Sequence, residues 1–325
     1  MSNNLFLKKF SGESRELNPE IRAFLKQNGR VFQQPDFLKA VSNRVDFFSV
    51  EQDGEILSVW PIAVIKKFKI KAGFIPQHAH VYGPVWSSKG CDLKAEVMWE
   101  FKKVLSEYPL VEFKLPLTDA DILPFLQLNA KVLATQTHIV ESSSNFGIES
   151  IHHSKKRYLK KLIQLLEKGQ LVVKEGADCH NDLLKLQGET AKKSGFATDL
   201  VKLKDIMKAL GGHSAFALVV YDSNGMPLSG AYCPFDSSFA YHVVNASVNH
   251  EDTLLNRSNI LSTYLAIEKA MKMGLGFDFE GSNILGVASY YRLMGGKPTL
   301  FYRIELTEKL LGRLVFSLRH FAHKA

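Results

Sequence analysis

Cysteine is scarce in this 325-residue chain, and the three present, Cys91, Cys179 and Cys233, are far apart and odd in number. That excludes a disulfide framework and fits a reducing compartment. The histidine pairs His78/His80 and His152/His153 have no third ligand at useful spacing, so no metal site is expected. No apolar run approaches the roughly 20 residues that span a bilayer. Met1-Ser2-Asn3-Asn4 lacks a basic region followed by an apolar one, so no secretory signal is read and a cytoplasmic setting is expected.

What is present is ordinary globular material. The chain is 46% hydrophobic and 23% charged, too apolar for disorder and able to fill sizeable cores. Its length exceeds the ~100–200 residues of one core, so two domains are expected. The net charge of +8 invites anionic partners such as phosphates, nucleotides or RNA, although solvated lysines account for it equally well.

The order of segments carries more information. A strand to Lys9 and a loop from Ser11 to Glu16 lead into short helices from Pro19 to Lys26, stopped by Asn28-Gly29, and from Gln34-Pro35 to Val41. Asp53-Gly54 joins strand-like runs from Asp46 to Glu51 and from Glu55 to Val64, a strong hairpin signal. A helix from Asp92 to Ser106, a strand from Leu110, a short helix from Thr118 to Leu128 and a strand from Thr137 to Glu141 follow. The second half repeats the order. Ser154 is expected to cap a helix to Glu167. A strand from Leu171, helices near Asn181–Lys193 and Val201–Leu210, and a hairpin turning at Asp222-Ser223-Asn224-Gly225 come next. Phe239 to Ser247 extends the meander. Asn256 to Met273 is the clearest helix, with Ile260, Tyr264, Ile267 and Met271 on one stripe. Meander, helix and strand, twice over, predict a mixed α/β fold in two copies, residues 1–145 and 146–325.

Two stretches near the end concentrate polar chemistry. Phe277-Asp278-Phe279-Glu280-Gly281-Ser282 reads as a strand with both carboxylates on one side, followed by a sharp glycine turn. Ser289-Tyr290-Tyr291-Arg292-Leu293-Met294-Gly295-Gly296-Lys297 adds two phenols, a guanidinium and a lysine beside paired glycines. Lys155, Lys156 and Arg157 stand in the first turn of a helix, where the macrodipole disfavours each cation by ~0.3–1 kcal/mol, and Lys160 and Lys161 extend that face. Either an anionic partner or counter-charge from elsewhere offsets this.

Several of these stretches resemble the FemABX-like branch of the GNAT acyltransferase superfamily. They are Ser154-Lys155-Lys156-Arg157-Tyr158-Leu159-Lys160-Lys161, Leu228-Ser229-Gly230-Ala231-Tyr232, the run from Ala266 through Gly274 to Gly281, and Tyr291-Arg292 before Gly295-Gly296. Val31 to Phe37 and Gly83-Pro84 also fit. The resemblance implies a tandem duplicated GNAT fold, α/β with mixed sheets flanked by helices. It implies transfer of an aminoacyl group from tRNA, or an acyl group from acyl-CoA, onto an amine of a cell-envelope or saccharide precursor, such as an anionic nucleotide-sugar or lipid-linked molecule. A non-catalytic binding protein on the same scaffold is the rival reading.

Two departures qualify the resemblance. Acyl-CoA GNATs carry a glycine-rich loop before the long helix, whose N–H groups hold pyrophosphate. Here that position reads Asn249-His250-Glu251-Asp252-Thr253-Leu254-Leu255-Asn256-Arg257, with two acids and no glycine, which tilts the donor toward aminoacyl-tRNA. No long heptad segment exists either, so the coiled-coil arm of some members is absent.

Amine attack on an ester needs a proton acceptor and donors to the developing oxyanion. Asp278 and Glu280 are candidates for the first task, unless Asp278 caps or pairs with a neighbouring element. Arg292 is the candidate for the second, and Tyr291 for hydrogen-bond donation or packing. Lys155, Lys156, Arg157, Lys160, Tyr290 and Lys297 are candidate anion or substrate contacts. His242 alternates with Tyr241 on a strand, so it faces either the site or the core.

Overall fold

The computed structural model describes residues 5–10, 17–67, 70–117, 119, 121–281 and 284–307. The loop expected at Ser11 to Glu16 lies outside them. The first half contains β1 (Leu5–Phe10), α1 (Pro19–Asn28), α2 (Pro35–Val41), β2 (Val45–Gln52), β3 (Glu55–Lys67), β4 (Ile70–Phe74), β5 (Val85–Trp86), α3 (Ser88–Asp92), α4 (Lys94–Phe101), β6 (Leu110–Lys114), α5 (Leu123–Gln127) and β7 (Lys131–Val140). The second contains α6 (His153–Glu167), β8 (Leu171–Glu175), α7 (His180–Ser194), α8 (Leu200–Ser214), β9 (Ala215–Asp222), β10 (Pro227–Pro234), β11 (Phe239–Tyr241), β12 (Val244–Ser247), α9 (Ser258–Lys272), β13 (Gly276–Asp278), α10 (Leu285–Leu293) and β14 (Lys297–Thr307).

These elements form two compact units, one from the described residues of Met1–Thr135 and Leu300–Ala325, the other from Gln136–Thr299. In the first, strands run in the order β1-β2-β3-β4-β6-β14. The β2–β3 hairpin turns at Asp53 and Gly54, both at positive φ (52° and 83°), as a turn matched to the strand twist requires. Trp60 anchors the core, edge-on to Phe101 at 4.9 Å and Phe113 at 5.3 Å. The helix expected from Asp92 to Ser106 is found as α4, which tightens into a 3-10 turn over Lys102–Ser106. Before it stands α3, a separate turn capped by Ser87, where a Cβ on Gly90 would come within 2.0 Å of the Leu57 carbonyl.

In the second unit, β12-β10-β9-β8 form an antiparallel sheet, while β11 pairs in parallel with β13, which pairs with β7 through Ile139 and Val140. β11 and β12 are one strand path interrupted at His242 and Val243. Its first part holds β13, with Tyr241 opposite Asp278. Its second part leaves to hold β10, with Val244 opposite Tyr232. The sheet therefore forks. α9 buries Ile260, Leu261, Tyr264 and Ile267 and ends at Gly274 (φ 74°).

Two expectations need correction. Helix α6 is capped by His152, whose Nδ1 accepts from the Ser154 N–H at 3.3 Å; Ser154 is inside the helix. The strand expected through Phe279 and Glu280 stops at Asp278, because Glu280 takes a positive φ of 63°. Strand alternation does not extend to it, so that argument does not place both carboxylates on one side.

Candidate active site

Asp278 ends β13 and is fully buried. Its Oδ1 accepts from the Thr137 hydroxyl and, at 2.8 Å, from the Glu280 N–H, closing the turn that leaves the strand. Gly281 follows at φ 70°, where a Cβ would lie 2.5 Å from the Gln136 carbonyl; only glycine fits. Ser282 lies outside the described residues.

The face opposite Asp278 carries a row of rings. Phe279 donates its N–H to the His138 carbonyl at 3.0 Å, and His242 donates its N–H to the Asp278 carbonyl at 2.8 Å. The strand registers therefore set His242, Phe279 and His138 side by side on three neighbouring strands. His242 lies 5.2 Å from Phe277 and 5.9 Å from Phe279; Tyr291 stacks on Phe279 at 4.6 Å and meets His138 at 5.9 Å. Both imidazoles are buried, and neither ring nitrogen of either has a hydrogen-bond partner among the described residues. Burial lowers the His242 pKa to about 3. Burial, and then the Arg292 charge, lower that of His138, while Asp278 opposes them. Burial, reinforced by Glu280 and Asp278, raises the Tyr291 phenol, which stays neutral. The paired glycines are explained by packing. Gly295 takes φ 92°, and a Cβ on Gly296 would meet Phe279 at 2.9 Å and the His138 Cβ at 3.0 Å.

The cations gather where three helix ends meet. The His152 N–H donates to the Leu293 carbonyl at 3.0 Å, joining the start of α6 to the end of α10. Arg292, exposed beside that junction, has no ion-pair partner among the described residues. Lys155 lies over the Tyr290 ring at 5.4 Å, and Tyr290 bonds the Asn259 carbonyl and the Thr263 hydroxyl, both at 3.0 Å, in the first turns of α9. Burial lowers the Lys155 pKa, and the neighbouring Arg257 adds to this. Arg157 and Arg257 both approach the Tyr158 ring, at 5.2 and 5.8 Å. Lys156 is held by Glu149 at 2.8 Å, a counter-charge for that first turn, and Lys297 lies 3.9 Å from Glu141. Lys160 points into solvent.

Sequence reading passes over Thr137, His138, Tyr158 and Arg257. Only the strand register brings the first two to Asp278 and Phe279. The adjacency of Lys155-Arg157-Tyr158 was visible, whereas the approach of Arg257 depends on how α9 packs against α6.

The loop before α9 can be tested as a cradle for a CoA pyrophosphate. Asp252 accepts from the N–H groups of Leu254 at 2.7 Å and Leu255 at 2.9 Å, and these bonds hold its pKa below the usual carboxylate range. The Asp252, Asn256 and Arg257 N–H groups also find acceptors inside the loop. At the edge of β12, the Thr190 hydroxyl takes both the N–H and the carbonyl of Ser247. The Leu254 and Leu255 donors are already satisfied by a carboxylate that would repel a pyrophosphate, and those of Asp252, Asn256 and Arg257 by other acceptors in the loop. CoA does not fit this loop.

No family model matches the chain, and no curated protein sequence matches it. Solved structures do. FemX aligns with a TM-score of 0.65 at 15% identity, over 96% of this chain and 99% of its own. L-PGS from Bacillus licheniformis aligns at 0.60 and 13% identity, over 98% of this chain and 99% of its own. A tandem GNAT protein from the clavulanic acid biosynthesis pathway aligns at 0.50 and 10% identity, over 94% and 100%. The fold is that of the FemABX-like tandem GNAT proteins. At such identities the likeness concerns the fold, and the fork between β12 and β13 is where the second unit departs from a continuous sheet.

Proposed function

We propose that the chain is a cytoplasmic N-acyltransferase whose site is carried mainly by the C-terminal copy of the expected duplication, residues 146–325. It moves an aminoacyl group from tRNA to an amine of an anionic cell-envelope or saccharide precursor. The observation that carries this reading is the fork of β12 away from β11 and β13, with Arg292, which has no ion-pair partner among the described residues, at the end of the neighbouring helix. The names of the structural neighbours, FemX and L-PGS, support a transferase of this class. The self-satisfied loop before α9 favours tRNA over CoA as donor.

In this reading Arg292 receives the negative charge that develops on the ester oxygen, and Tyr291 and Glu280 shape the wall beside it. Asp278 sets the turn that positions Glu280. Lys155, Arg157 and Lys160 hold phosphate groups, with Tyr290 fixing Lys155; Lys156 and Lys297 add charge at the rim, and His242 packs behind the site. The deep engagement of Asp278 with Thr137 and the Glu280 N–H favours a second reading, a binding protein without chemistry, since it leaves that carboxylate a structural task.

Incubation with charged bulk tRNA and, separately, with acetyl-CoA, followed by binding and transfer measurements, separates these readings. Transfer from tRNA that falls roughly 10²–10³-fold in Arg292→Ala is expected. Tight CoA binding overturns the donor, and absence of any transfer leaves the binding protein.

A further inference from the structure

We propose that His138 is the proton acceptor for the attacking amine. The inference rests on the transferase reading and adds to it a residue that reading does not use.

His138 is 1% exposed, and both ring nitrogens lack a hydrogen-bond partner among the described residues. Leaving a buried polar group unsatisfied costs about 1–3 kcal/mol, and an apolar side chain would fill the same place without that cost. An imidazole kept there is matched to a partner that arrives from outside. Its neighbours suit the task. Asp278 and Thr137 lie on the opposite face of the strands, Tyr291 and Phe279 flank the ring, and Glu280 lies near enough to act on Tyr291. Arg292, the candidate for the developing oxyanion, is close enough for its charge to act on His138. That charge and the burial both keep the imidazole neutral near pH 7, the form that accepts a proton. Gly296 packs beside His138, where a Cβ of its own would come within 3.0 Å of the His138 Cβ.

The step balances without a co-reactant. The amine nitrogen forms the new C–N bond and gives one proton to an imidazole nitrogen. The ester C–O bond breaks, and the imidazolium returns that proton to the departing oxygen.

The test uses the full chain labelled with 13C,15N-histidine, with His138 assigned through His138→Gln. Glycinamide serves as the amine and charged bulk tRNA as the donor. Three results are expected. Glycinamide shifts the His138 signals. His138→Gln lowers kcat by roughly 10²–10⁴-fold with KM for tRNA held, and removes the acid limb of the pH–rate profile. Arg292→Gln, a surface change that spares the core, moves both the His138 titration and the acid limb to higher pH. A His138 signal that ignores glycinamide overturns the assignment whether or not transfer is seen. So does a His138→Gln enzyme that keeps its rate and its acid limb. Failure of the wild type to transfer from any donor, with the glycinamide shift present, counts against the transferase reading and leaves the amine contact standing.

Discussion

The two units differ in how they hold their buried charged and imidazole side chains. In the first, Asp46 is fully buried and bonded to Arg44 through both carboxylate oxygens at 3.0 Å and to the Tyr108 hydroxyl. Glu51 is matched by Lys8 and Ser49, Glu112 by Arg303 at 2.9 Å, and Glu305 by Lys131 at 3.1 Å. In the second, His138 and His242 are buried with no hydrogen-bond partner for their rings among the described residues. The sheets differ in the same sense. β4 of the first unit bridges β3 and β6, and Gly73, opposite Val111, leaves no room for a side chain. The corresponding strand of the second unit splits. Paired charge and a continuous sheet describe a scaffold; unpaired imidazoles and a fork describe a place built to receive something.

Four measurements sharpen or break this contrast. All three tryptophans, Trp60, Trp86 and Trp99, belong to the first unit, so their fluorescence reports its unfolding alone. Asp46→Ala should destabilise that unit by about 3 kcal/mol, because the buried Tyr108 hydroxyl loses its acceptor while Arg44 can turn to water. A urea midpoint by fluorescence checks it, and an unchanged midpoint would mean the pairing is ornamental.

Acid should act on the second unit instead. His242 has a folded pKa far below its unfolded value, so its stabilising effect is complete above about pH 6.5 and is lost as pH falls toward 3, at up to ~1.4 kcal/mol per pH unit. His138 shifts in the same direction. Far-UV dichroism melts at pH 7 and 5 should show the fluorescence-silent transition falling by up to roughly 2 kcal/mol, with the tryptophan transition less affected.

Gly296→Ala comes next, at about 1–2 kcal/mol, since the new methyl meets Phe279, His138 and the Tyr291 carbonyl at 2.9–3.0 Å. The near-UV signal of the stacked Tyr291 reports it. The smallest effect belongs to His242→Leu, which should leave stability unchanged or raise it by less than about 1 kcal/mol, because a partnerless imidazole gives way to an apolar group of similar size. A clear loss there would show that His242 has a partner after all, and the contrast between the units would weaken.

Much of the fold was legible in the sequence for local reasons. The Asp53-Gly54 hairpin, the α9 stripe and the repeated meander-helix-strand order are signals of turn chemistry and periodicity, which act over a few residues. The separate turn α3 before the helix after Asp92 was not legible, because Gly90 there packs against the carbonyl of the distant Leu57. At the site, Arg292, Tyr291 and the basic start of α6 stood out by composition. His138 did not, since one histidine in an apolar strand carries no local signal.

By itself, the sequence determined the elements and their order, the excess of positive charge, and the absence of a glycine-rich loop before α9. Only tertiary structure decided which buried groups have partners. Strand register sets Thr137 against Asp278 and leaves the His138 ring beside Phe279 without a hydrogen-bond partner among the described residues, and pairing across strands is a property of two distant segments at once. The fork has the same origin, for β11 and β12 are adjacent in the chain and are parted only by the different strands they hold.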